Sequence, residues 1–210
     1  MRNVRISAML ATAIGLMVLQ GAKAEDRGRE IFDGLCNRCH GAQGQGMQGL
    51  EAPILAGMPA WYVEVQLKKF REGIRGTHPK DMPGMRMRPM ANTLRESDVP
   101  IVSAHVLNMP IQQAVPSIKD ANLENGKAGF AMCVGCHGTD AKGNQQIGAP
   151  LLAGLNDWYV LTQLKNFKAG VRGGDPTRDA QGASMRTMAA TLSDEAMKDI
   201  AAYLQSLSRK

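Results

Sequence analysis

The sequence predicts an all-α protein made of two tandem copies of one small domain. Three observations lead there. First, the stretch Cys36-Asn37-Arg38-Cys39-His40 returns as Cys133-Val134-Gly135-Cys136-His137, a step of 97 residues. Second, the same step carries Pro53 to Pro150, Leu55 to Leu152, Gly57 to Gly154, Trp61 to Trp158, Gln66 to Gln163, Phe70 to Phe167 and Arg75 to Arg172. After one inserted residue the step becomes 98 and carries Met87 to Met185, Arg88 to Arg186, Met90 to Met188 and Leu94 to Leu192. A period this long, present twice, means a duplicated domain rather than a solenoid. Third, apolar residues recur at helical spacing and no run alternates like a strand.

Residues 1–24 read as a removable export signal. Arg2 and Arg5 give a positive start, Ile6 to Leu19 an apolar run, and Ala22-Lys23-Ala24 a cleavage site before Glu25. The run of 14 residues is short of the roughly 20 needed to span a bilayer. The first domain is expected over 25–108, a linker over 109–121 and the second domain over 122–210. In each domain a short helix, beginning near Arg27 or Leu123, leads into the cysteine motif, and a Gly-rich loop follows. An amphipathic helix comes next, with Val63, Leu67 and Phe70 on one face of the first copy and Val160, Leu164 and Phe167 on that of the second. It ends at Gly73 or Gly170. A Met-rich loop then leads to a closing helix. In the second copy that helix is capped by Ser193 and buries Met197, Ile200, Ala201 and Leu204. In the first copy Pro100 is tolerable only in a first turn, so Ser97 is the expected cap and the helix runs to about Leu107. Pro110 and Pro116 make the linker stiffer than Gly/Ser coil.

Cys-x-x-Cys-His is the attachment signal of c-type heme. Two thiols one turn apart reach both vinyl groups of one porphyrin, and the next His lies under the iron. A thioredoxin-like pair or half a zinc site would not require a His directly after the second Cys, twice, in a chain with no other cysteine. Two covalently bound heme c groups are therefore expected on Cys36, Cys39, Cys133 and Cys136, with His40 and His137 as proximal iron ligands. Each ring needs a fixed orientation, and the carbonyls of Pro53 and Pro150 are candidates to supply it. For the sixth ligand, His78 and His105 have no counterpart in the second half, where His105 aligns with Tyr203. Met82 and Met85 align with Ala180 and Ala183. Two in-register methionine pairs remain, Met87 with Met185 and Met90 with Met188. Arg75 and Arg172 are candidates to pair with heme propionates, the other reading being solvated cations at a helix end. Trp61, Tyr62, Trp158 and Tyr159 read as packing against the heme wall.

The double motif, the segments Trp61-Tyr62 to Gly76 and Trp158-Tyr159 to Gly173, and the ending Met-x-x-Met-Ala-x-Thr-Leu resemble the cytochrome c4 family over nearly all of the chain beyond the leader. The resemblance implies two class I cytochrome c domains. It also selects among the methionines, because the family places its axial Met seven residues before the Leu that precedes the last helix. That implies Met87 and Met185, with Met90 and Met188 as packing residues. The first Met loop, Met85-Arg86-Met87-Arg88-Pro89-Met90, departs from the family in being so basic and so rich in methionine.

Composition bounds the function. Of 210 residues 44% are hydrophobic and 4% aromatic, and heme is a large apolar group that would complete so sparse a core. The formal charge of +6 loses Arg2, Arg5 and Lys23 with the leader, and no basic stripe interleaved with aromatics points to nucleic acid. His and Met on both faces leave iron no open position, which implies an electron carrier and not an enzyme. The resemblance implies periplasmic transfer from a quinol-oxidising complex to a terminal oxidase or reductase, with peripheral association with membrane complexes. The alternatives are a dedicated electron-transfer subunit of a periplasmic dehydrogenase or reductase, and a diheme peroxidase.

Overall fold

The computed structural model describes residues 25–209, and the leader expected over 1–24 lies outside the described residues. The described residues are helical with two isolated β-bridges, Met47 with Ala52 and Asn144 with Ala149. In the first half, α1 covers 25–31 and runs through a π turn, Phe32–Cys36, into α2, Asn37–His40. Then come α3 (Ala60–Arg71), α4 (Met82–Thr93) and α5 (Asp98–Asn108). The second half repeats the order. Helix α6 (Leu123–Phe130) leads through a 3-10 turn to α7 (Val134–His137), followed by α8 (Asp157–Lys168), α9 (Ala180–Ala190) and α10 (Asp194–Ser206).

The first and last helices of each half cross at a glycine. A Cβ on Gly28 would sit 2.8 Å from that of His105, and one on Gly126 would run into the carbonyl oxygen of Asp199. Ring contacts close both crossings, Phe32 with His105 at 5.6 Å between centroids and Phe130 with Tyr203 at 5.9 Å. His105 thus does the packing work of Tyr203. Val99, Val102 and Val106 of α5, and Met197, Ile200 and Leu204 of α10, turn inward. They join one apolar cluster that runs through both halves.

The Met-rich stretch differs from the loop expected. It is helical in both halves because an aspartate caps it: Asp81 accepts from Gly84 N at 3.1 Å and Asp179 from Gly182 N at 2.9 Å. Neither helix is strongly amphipathic, and α4 carries Pro89 inside it. Such an interior position costs about 3 kcal/mol relative to Ala, so the pattern does not announce a helix. Ser193 caps α10 through Ala196 N at 3.1 Å, whereas Ser97 precedes α5 without a side-chain cap bond.

The segment between the halves is held along its length. Asp157 accepts from Ser117 N (2.7 Å), Ser117 Oγ (2.6 Å) and Ile118 N (2.8 Å). Gln205 Nε2 donates to Ala114 O at 2.6 Å, and Asn122 N to Asp199 Oδ1 at 2.8 Å. The halves also bond directly. Ile54 N donates to Asn156 Oδ1 at 2.7 Å, Lys69 pairs with Asp179 at 2.6 Å, and Arg178 donates to Glu72 O at 2.7 Å.

Candidate heme sites

Each site begins where the first helix of a half changes its winding, widening into a π turn in the first half and tightening into a 3-10 turn in the second. Cys36 ends the π turn and Cys39 lies one turn on in α2, with Cys133 and Cys136 set likewise around the start of α7. Cys39 and Cys136 are exposed, and Cys36 and Cys133 are half-buried. Burial, and then the neighbouring Cys39, pushes the Cys36 thiol up to about 11. Burial raises Cys133 as well. Among the described residues no cluster of three His, Cys, Asp or Glu side chains could hold a metal ion.

His40 and His137 close the motif and are buried. The next residue must turn the chain sharply, and Gly41 and Gly138 do so at φ of +81° and +80°, a conformation that favours glycine. The Nδ1 of His40 lies 2.8 Å from Pro53 O, and that of His137 lies 2.9 Å from Pro150 O. A carbonyl only accepts, so Nδ1 carries the proton and Nε2 keeps its lone pair. Burial lowers both imidazole pKa values against the raising contact with the carbonyl, which favours the neutral ring that iron requires.

The methionine pairs lie on the capped helices. Met87 on α4 and Met185 on α9 are half-buried, whereas Met90 and Met188, one turn later, are exposed. His78 lies in the turn before α4, where its Nδ1 accepts from Lys80 N at 3.2 Å.

Between the halves two arginines meet. Arg75 Nη1 donates to Gln66 Oε1 at 2.7 Å and its Nη2 to Gln163 Oε1 at 3.5 Å. Arg172 mirrors it, with Nη1 to Gln163 at 2.6 Å and Nη2 to Gln66 at 3.4 Å. Each guanidinium lies 4.4 Å over a phenylalanine ring, Phe70 or Phe167. Both are buried, and each keeps an Nε with no hydrogen-bond partner. Burial, and then Arg172, lowers the pKa of Arg75. The solvated helix-end reading therefore fails. Two buried cations side by side with orphaned donors require anions, and the two carboxylates that each heme bears fit that need. Trp61 and Tyr62 stack edge to face at 5.6 Å, as do Trp158 and Tyr159 at 6.0 Å. The glutamines that bridge the arginines carry no local signal in the sequence beyond recurring nine residues before each arginine.

The family model described as cytochrome c matches residues 25–110 and again 123–208. Cytochrome c4 of Pseudomonas aeruginosa is 28% identical over 210 residues, covering 97% of this chain and 98% of its own. A thiosulfate dehydrogenase electron acceptor of Stutzerimonas stutzeri is 30% identical, over 96% of this chain and 95% of its own. Among solved structures, reduced recombinant cytochrome c4 from Pseudomonas stutzeri matches at a TM-score of 0.70 and 26% identity, over 87% of this chain and 98% of that one. The chain therefore belongs to the cytochrome c family, in the tandem, diheme form of the cytochromes c4, and carries electrons on two covalently bound heme c groups.

Proposed function

We propose that the protein works in the periplasm, moving electrons from a quinol-oxidising complex to a terminal oxidase or reductase and catalysing no reaction itself. The observation that carries this reading is that each half holds a buried imidazole fixed through its Nδ1, and that each also carries an in-register methionine on a capped helix. In this assignment Cys36, Cys39, Cys133 and Cys136 form the thioether links. His40 and His137 ligate iron through Nε2, and Met87 and Met185 ligate it through sulfur. Heme supplies a one-electron ferric/ferrous couple, and a thioether ligand favours the ferrous side. With a His and a Met of the chain both committed to it, a bound heme would offer a substrate no free coordination position. Arg75 and Arg172 hold compensating positive charge at the junction of the halves. The segment between the halves is clamped by Asp157, so the separation between the two centres is set by the fold and not by a loose tether.

A second reading has one observation in its favour, the relative named as an electron acceptor of thiosulfate dehydrogenase. Here the protein would serve one dehydrogenase as its dedicated electron-transfer subunit. Purification from the native source separates the two readings. A shuttle is expected to come out alone, with Glu25 at its N-terminus, and to be reduced and reoxidised by membranes supplied with quinol and then oxygen. A stable complex with a dehydrogenase, and no turnover by membranes, would favour the second.

A further inference from the structure

Each half serves as the other's control, because whatever a heme demands of its domain should be present in both. One face breaks the repeat. In the first half Met47, Leu50, Met82 and Met85 are exposed, at 41%, 42%, 56% and 42%. Their in-register partners are Asn144, Ile147, Ala180 and Ala183, and Ile147, exposed at 48%, matches Leu50, so the break lies in the methionines. Three methionines thus meet solvent where the second half offers an amide and two methyl groups, so no heme requirement explains them. Met90 and Met188 are exposed alike and mark no difference.

Arg86 ties the two segments of this face together. Its Nη2 donates to Leu50 O at 2.9 Å and pairs with Glu51 at 3.0 Å, bridging the loop to α4. The second half has Ser184 there, and Gly135 in place of the exposed Arg38 beside Cys39. Arg86 and Arg88 are exposed on the same helix as Met82 and Met85, and Arg38 is exposed beside Cys39. Flexible thioether side chains suit an adaptable contact surface, and a basic rim steers an acidic partner. The face has no aromatic side chain of the kind that anchors proteins in a lipid interface.

The asymmetry points to this Met-rich face of the first half as the surface where the carrier docks a redox partner protein that presents an apolar patch ringed by carboxylates. The inference rests on the electron-carrier reading and adds which half makes contact and with what chemistry. Such an interface is small and exchanges quickly.

The test uses loaded holoprotein bearing Met47→Asn, Met82→Ala, Met85→Ala and Arg86→Ser, each taken from the second half. Reduction by quinol-supplied membranes of the source organism, reoxidation by the same membranes and electron exchange with ferricyanide are timed against wild type. The double variant Met82→Ala with Met85→Ala stands in if the fourfold one does not take up both hemes. At least one membrane rate should fall about tenfold and lose part of its dependence on ionic strength, with ferricyanide exchange unchanged. Unchanged membrane rates overturn the inference. So does a wild-type dimer that the substitutions dissociate, or wild-type binding to phosphatidylglycerol vesicles that they abolish. If membranes neither reduce nor oxidise wild type, the carrier reading falls and this surface with it. If variant and wild type turn over equally, the surface alone falls.

Discussion

His40 and His137 each commit Nδ1 to a proline carbonyl, at 2.8 and 2.9 Å, which leaves Nε2 as the only ring atom able to bind iron. These residues are legible in the sequence because heme attachment is local chemistry, five residues long, and a motif repeated in register cannot be mistaken for packing. The sixth ligand is less legible, since methionine is also an adaptable core filler. Replacing Met185 by Ala should open one heme, so that the ferrous variant binds about one carbon monoxide per chain and that heme's potential falls. Met188→Ala should leave both coordination and potential as they were. Optical titration reads both, and the reverse pattern would transfer the assignment to Met90 and Met188. Gln66 and Gln163 carry no signal of their bridging role, because besides the arginine of its own half each also accepts from the arginine of the other, 88 or 106 residues away.

Among the helices, those with a continuous apolar stripe were readable, as α10 and its Ser193 cap illustrate. Helices α4 and α9 were not, because their stability comes from Asp81 and Asp179 at the cap and from contact with α3 and α8. The clamp on the segment between the halves is equally silent in sequence. Asp157 reads as an acid in a first helical turn, yet it gathers Ser117 and Ile118 from 40 and 39 residues away. Burial alone would raise its pKa, but donation from Ile118 N, Ser117 and Trp158 N outweighs that and holds it below the usual carboxylate range. A depressed carboxylate contributes stability that is complete above its unfolded pKa, about 3.9, and is lost as pH falls through the lower folded value. The clamp should therefore hold from neutral pH down to about pH 4 and release below it. Asp157→Ala should cost about 3 kcal/mol in denaturant unfolding and expose the Ser117 and Ile118 amides to hydrogen exchange at neutral pH. Unaltered exchange would show that the segment is held elsewhere.

Across the whole molecule, the halves are joined by polar bonds around two like charges. Arg75 and Arg172 have no ion-pair partner within 4.0 Å among the described residues, while Lys69 and Asp179 pair across the same junction. Loaded heme is what should make the buried cations favourable. Arg75→Gln in the holoprotein should cost about 3–5 kcal/mol, because it leaves a buried carboxylate without its cation. It should also lower the potential of one heme, since a lost positive charge no longer favours the reduced iron. A surface role would leave both unchanged in calorimetry and redox titration. The duplicated architecture was plain from the repeat, but the junction was not, because bonds between the halves join residues that no local pattern relates. In the proposed carrier both irons are gripped on both faces by the protein's own side chains. The dithionite-reduced wild-type holoprotein exposed to carbon monoxide, with its absorption spectrum recorded, puts this to the test. No spectral change at either heme is the expected result, and binding at one or both would contradict it.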